Sequence, residues 1–293
     1  MALFGKISYN KRSSKKYGWL PTWFGLKEFC PKLIERIKLF QVEWDLKPDG
    51  LVGPQTYRRL FTAKEAKNKS ENSIICNGMK VPIEWDKVKI DMMNSDCYKR
   101  SKKARYPNMI VTHWDVCLSA DSCKRVLEKR NISTHFCIDN DGTIVQLVDC
   151  NDIAWHAGIR AVNKNSIGVD FSNAYYTRYQ KTYVSRGFGE RPILKDSVVH
   201  GRKLSPHLGY YPVQIEAYKA LLDALLTHYN ITVDFPRERF EELKTTVDKD
   251  AARGRFEGVV CHYHLTKRKI DTAGLKLDEI INDLKEYPVG SKD

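Results

Sequence analysis

The 293-residue sequence contains no apolar run approaching the roughly 18–20 residues that span a membrane. It also lacks a signal-type start. Met1 to Leu20 mixes Lys6, Lys11, Arg12, Lys15 and Lys16 with polar residues, without an apolar stretch or a small-residue cleavage site. The chain is therefore expected to be made and held in a cytoplasm until something else exports it. No repeat of solenoid period and no low-complexity tract is present. Eight cysteines are too dilute for a disulfide-built mini-domain, and the close pair Cys117 and Cys123 reads as two reduced, half-buried thiols, with a bridge between them as the alternative. No serine or cysteine stands with a convincing base partner, which argues against a covalent nucleophile. Cys261 adjoins His262 but reads as a strand residue.

What is present is an ordinary folded composition, 42% hydrophobic and 29% charged, neither disordered nor fibrous. The length suggests two domains, at about 150 residues each. The net charge of +13 is unevenly spread. Residues 1–106 carry 23 basic and 11 acidic side chains, a net of +12, whereas residues 107–293 carry 26 and 25, a net of +1. An anionic polymer or surface (nucleic acid, lipid or bacterial wall) is the partner that such charge fits.

Leu33, Ile34, Ile37, Phe40 and Gln41 follow a helical period, with Pro31 where a first turn tolerates it. Lys47-Pro48-Asp49-Gly50 is a turn, Gly53-Pro54-Gln55-Thr56 a second stop, and Thr56 to Phe61 a short helix. The charged stretch 63–73 has no apolar face and reads as a linker. Beyond it, strands are expected at Met109–Thr112, Ser166–Phe171 and Gly258–His262. A hairpin is expected around Asp139-Asn140-Asp141-Gly142. Helices are expected at Ser122–Arg130 with Val126 and Leu127 inward, at Ile215–Tyr229 and at Leu277–Leu284. Tyr175 to Tyr211 is a long segment rich in Tyr, Arg and Gly; connections of this length are uncommon unless functional, so it is expected to wall a groove.

His113 follows Ile110-Val111-Thr112, and His262 follows Val259-Val260-Cys261. An imidazole at a strand end can point into a cleft while its strand stays in the core. Two such histidines and a carboxylate make a three-ligand zinc site with an open position, and Asp271 is the carboxylate candidate. His264, two residues past His262, would face the other way on a continuing strand and reads as a non-ligand.

The words around these residues are more specific. Val111-Thr112-His113, Ser133-Thr134-His135-Phe136 through Gly142-Thr143-Ile144, Ala154-Trp155-His156-Ala157-Gly158, Asn165-Ser166-Ile167-Gly168-Val169-Asp170 and Gly258-Val259-Val260-Cys261-His262 with Lys269-Ile270-Asp271 occur in this order. Over residues 74–290 the chain thus resembles the zinc-dependent N-acetylmuramoyl-L-alanine amidases, a family shared by phage endolysins, bacterial amidases and animal peptidoglycan recognition proteins. The resemblance implies that His113, His262 and Asp271 bind Zn2+. It implies that Lys269 steadies the oxyanion, and that Asp170 stands where many bacterial relatives carry a catalytic Glu. Thr134 occupies the place of a catalytic Tyr in some relatives. Trp155, His156, Ala157, Gly158 and Asn165 would bind substrate. His135 reads as packing beneath its strand, the alternative being support of a ligand.

The N-terminal third carries a second resemblance. Ile37 to Gln41 followed by Leu46-Lys47-Pro48-Asp49-Gly50-Leu51-Val52-Gly53-Pro54-Gln55-Thr56 is similar to the small helical peptidoglycan-binding module. Asp49, Gly50, Gly53, Pro54 and Thr56 would be its wall-binding signature, with turns that present backbone groups. Trp19, Trp23, Phe24 and Phe29 read as core, and Lys99 to Arg105 as a solvated basic loop. The expectation is therefore an α/β domain, with a mixed central sheet flanked by helices, behind a small all-α domain. Residues 1–62 would be the wall-binding part, 63–73 the linker and 74–293 the zinc amidase. The implied partner is bacterial peptidoglycan, with no nucleic acid and no membrane. The implied protein is a monomeric endolysin held in the host cytoplasm before release and acting at the cell wall. A non-catalytic wall receptor on the same scaffold is the rival reading, against which the complete set of zinc ligands speaks.

Overall fold

The computed structural model describes residues 2–44, 46–65 and 72–286. Three helices open the chain: α1 (Leu3–Tyr17), α2 (Pro31–Glu43) and α3 (Pro54–Glu65). α3 starts at Pro54 rather than Thr56, because a proline in the first turn gives up an N–H that no helix carbonyl would have met. The helices enclose Trp19, Leu33, Ile37, Val52 and Leu60, with Trp19 fully buried against the edges of Phe24 and Phe29.

Between α2 and α3 the expected turn is knotted by two buried amides. Gln41 reaches Asp49 Oδ1 at 3.0 Å and Thr56 Oγ1 at 3.0 Å through Nε2, and accepts the Gly50 N–H at 2.8 Å. Asn10 donates to Gly50 O and accepts the Val52 N–H. Gly50 has φ +74°, and a Cβ there would lie 2.6 Å from Ile34 Cγ2, so no other residue fits. Asp49, Gly50 and Thr56 thus bind their own fold. Gly53 and Pro54 set the start of α3, where Gly53 O accepts the Tyr57 N–H.

The expected linker begins inside α3, which runs to Glu65; residues 66–71 lie outside the described residues. An antiparallel pair of strands that the sequence pattern did not disclose follows, Ser73–Cys76 with Met79–Pro82.

The main sheet has six strands: β1 (Val88–Ile90), β2 (Met109–Trp114), β3 (Phe136–Ile138), β4 (Ile144–Gln146), β5 (Ser166–Phe171) and β6 (Gly258–Cys261). Their order is β6-β2-β5-β3-β4-β1. Only β3 and β4, the expected hairpin, pair antiparallel; the other neighbours are parallel. The sheet is mixed and flanked by helices, as expected. Alternation along the strands sorts side chains between two faces. Ile110, Phe136, Ile167, Val169, Phe171 and Val259 pack into the large core with Leu221, Leu225 and Ile281 of two long helices, Pro212–Tyr229 and Leu277–Glu286. Met109, Val111 and Val260 face the other way, towards Val162 of the short helix Arg160–Asn165.

Two further expectations change. In α4 (Ala120–Lys129) the buried side is Ala120 and Cys123, and Val126 is 42% exposed rather than inward. Residues 175–211 do not line the groove that holds His113. They are pinned by the buried Arg191, which donates to Gly209 O, Asn140 Oδ1 and Ser172 O and lies over the rings of Tyr183 and Tyr211.

Candidate metal centre and active site

Parallel pairing sets His113 of β2 directly beside Asp170 of β5, and Cys261 of β6 beside Thr112. The next residue, His262, therefore arrives next to His113 at the same end of the sheet. β6 stops at Cys261 and a 3-10 turn, His262–His264, takes over. His264 is a non-ligand, but for a reason other than strand alternation. It folds back so that Nδ1 accepts the Cys261 N–H at 2.9 Å and Nε2 reaches Lys244 O at 2.6 Å.

Three donor atoms converge. His113 Nδ1 lies 2.9 Å from His262 Nδ1 and 3.3 Å from Asp271 Oδ2, and His262 Nδ1 lies 2.8 Å from the same oxygen. Burial, then the neighbouring His262, pulls the His113 pKa down to about 4, so its ring is neutral.

The tautomer of His113 can be traced from a backbone carbonyl. Ser166 Oγ donates to Val162 O at 2.7 Å and is left to accept from His156 Nε2 at 3.2 Å. His156 Nδ1 then carries a lone pair, which accepts from His113 Nε2 at 2.9 Å. His113 Nδ1 is consequently unprotonated and faces the Asp271 carboxylate oxygen with no hydrogen between them. Two lone pairs turned on each other beside a second imidazole form a donor set that a cation completes, and N/N/O donors with an open side suit zinc. His156 therefore holds the tautomer of His113 besides lining the groove. Gly168 makes room for its ring, since a Cβ there would meet His156 Cγ at 2.6 Å.

Around this point opens a groove of about 370 Å³ lined by Trp155, Ala157, Gly158, Asp170, Lys269 and the exposed edge of α4. Asp170 is 7% exposed; burial, then the carboxylates of Asp115 and Asp271, push its pKa well above the usual value. Lys269 is exposed at the rim. Asn165, expected at the substrate, is elsewhere: its side chain donates to Gly254 O and joins two loops. His135 packs beneath the sheet, accepting the Gly168 N–H and meeting Asp152 O. Thr134 is buried, its hydroxyl without a hydrogen-bond partner. The basic stretch 99–105 is only partly a solvated loop. Arg105 is tied to Cys150 O, Asn163 O and Ser166 O, and Ser101 N–H donates to Asp152.

Residues 103–273 match the family model described as N-acetylmuramoyl-L-alanine amidase. Comparison with curated proteins finds no match. Among solved structures the chain is similar to the N-acetylmuramyl-L-alanine amidase AmiD from E. coli, in complex with an anhydro-N-acetylmuramic acid peptide, at 22% identity and a TM-score of 0.32. That match covers 46% of this chain and 48% of the other, so the chain spans about half the length of that relative. It is similar to the amidase LysC from Clostridium intestinale at 19% identity and a TM-score of 0.39, over 67% of this chain and 97% of that one. For the Ph2119 endolysin from a Thermus scotoductus bacteriophage the figures are 15%, 0.36, 64% and 90%.

Proposed function

Because the chain belongs to the N-acetylmuramoyl-L-alanine amidase family, we propose that it hydrolyses the amide bond between N-acetylmuramic acid and the L-alanine of the peptidoglycan stem peptide. The observation that carries this reading is the meeting of His113, His262 and Asp271 at one sheet end, with Asp170 and Lys269 on the same groove. The three donors would hold zinc, which when bound supplies a Lewis acid for the scissile carbonyl and lowers the pKa of a water to about 7.

The chain's own residues do the rest. Asp170, paired with His113 across the strands, takes the proton of the attacking water and returns it to the leaving nitrogen. Its proton affinity, raised by burial and by the carboxylates of Asp115 and Asp271, suits that exchange. Lys269 places a positive charge at the rim for the developing oxyanion. Trp155 and the exposed Val126 offer apolar surface to the substrate. The N-terminal helices, with most of the net charge, direct the protein to the wall. In this reading the protein is a monomeric phage endolysin that waits in the host cytoplasm and binds neither nucleic acid nor membrane.

Digestion of purified peptidoglycan tests the activity. New free amino groups on alanine, dependent on zinc, are expected; new reducing sugars, or no products with zinc supplied, would overturn the assignment.

A further inference from the structure

We infer that Asp115, Cys123 and Cys137 form a second metal site, built for a soft, thiolate-binding cation of the zinc class and distinct from the His113 centre. Asp115 Oδ2 and the sulfurs of Cys123 and Cys137 all lie within 4.8 Å of one another. Cys137 Sγ is 3.7 Å from Asp115 Oδ2. The donors come from separate elements: the residue after β2, the first turns of α4, and β3.

The support behind the donors is already in place. Asp115 Oδ1 accepts the N–H groups of Cys117 at 2.8 Å and Asn173 at 3.0 Å, while Ser172 Oγ donates to Oδ2 at 3.0 Å. These bonds fix the carboxylate with Oδ2 turned towards the sulfurs, as partners behind a metal ligand do. Cys123 and Cys137 are buried, yet Asp115, Cys117 and Cys123 also line the catalytic groove, which gives a cation its path inward. All eight cysteines are unpaired, so the thiols are available.

Two sulfurs and one oxygen select zinc, cadmium or copper(I) over magnesium and calcium, and the three donors leave the fourth tetrahedral position to a solvent molecule. On binding, each ligating thiol releases its proton to solvent. The ion would tie α4 to β2 and β3 and so fix the wall that carries Val126.

The two centres differ in donor type, and that difference supplies the test. The full chain, reduced and stripped of metal, is loaded with cobalt(II). Wild type is expected to take a second equivalent of metal and to show thiolate-to-cobalt charge transfer, which nitrogen and oxygen donors cannot give. Cys137→Ser should lose that band and one equivalent while still digesting peptidoglycan. His113→Ala should lose one equivalent and keep the band. Native mass spectrometry of cadmium-loaded wild type counts the ions without any variant. A single equivalent without the band overturns the site. So does a band that survives in both Cys123→Ser and Cys137→Ser, and so does a Cys117–Cys123 disulfide in protein purified without reductant. Each outcome is independent of whether the wall is cleaved at the proposed bond.

Discussion

His156 shows how a residue behind a candidate metal ligand can set that ligand's proton. It fixes the proton of His113 from behind, anchored by Ser166 and the Val162 carbonyl. His156→Ala should weaken zinc binding by about 10–100-fold, the usual effect of removing a ligand's support; titration against a chelator measures it, and unchanged affinity would refute the role. Asp170→Asn should behave differently. It removes the proton acceptor but no ligand, so zinc content should hold while kcat falls by about 10²–10⁴. Retained kcat would assign the proton to another group. The convergence of His113, His262 and Asp271 was legible because the two histidines follow apolar strand words and Asp271 closes the last of the ordered motifs. The support by His156 was not. It depends on Gly168, bare enough on a neighbouring strand to admit a ring, and no spacing along the chain encodes that contact. Asn165 misled in the opposite sense, since its motif position is right but its side chain turns to Gly254.

At the scale of elements, parallel strands were easy to read and their ends were not. β5 matches its apolar run at both limits. β6 stops one residue earlier than its pattern suggests, because His264 caps the turn with its own ring. That turn makes stability depend on pH. Burial pulls the His264 pKa to about 4, below its ordinary value of 6.5. The unfolded chain therefore binds the proton more readily, and stability is complete above pH 6.5 and lost as pH falls towards 4, on the order of 3 kcal/mol. Urea midpoints of metal-free protein between pH 7.5 and 4.5 should fall more steeply for wild type than for His264→Gln. Equal slopes would show that other groups carry the acid sensitivity. Short strands such as Ser73–Cys76 and the elements within 175–211 left little pattern to read. Contacts distant in sequence, such as those of Arg191, decide them.

Across the whole molecule, the N-terminal helices and the α/β part are joined by a buried ion pair. Arg59 of α3 binds Asp152 and the Tyr98 hydroxyl, while Arg58 reaches Ser101 O and lies 3.7 Å from the same aspartate. Arg59→Ala should cost about 3 kcal/mol by urea denaturation, the low end for a broken buried pair because Arg58 and the Ser101 N–H remain. A loss below about 1 kcal/mol would mean that the helices dock by other contacts. Beside this joint a cleft of about 750 Å³, lined by Lys47, Arg58, Lys99 and Lys102, meets the catalytic groove at Trp155. The positive third of the chain therefore borders the site directly. The order of the sheet has a consequence for synthesis. His113 and His262 are 149 residues apart, and β6, which leads into His262 and Asp271, is an edge strand that joins last. A nascent chain can complete five strands on the ribosome and still hold a single ligand. On the proposed reading the chain would be inert while it is being made, and a protease cut ahead of Gly258 would remove His262 and Asp271, two of the three converging donors.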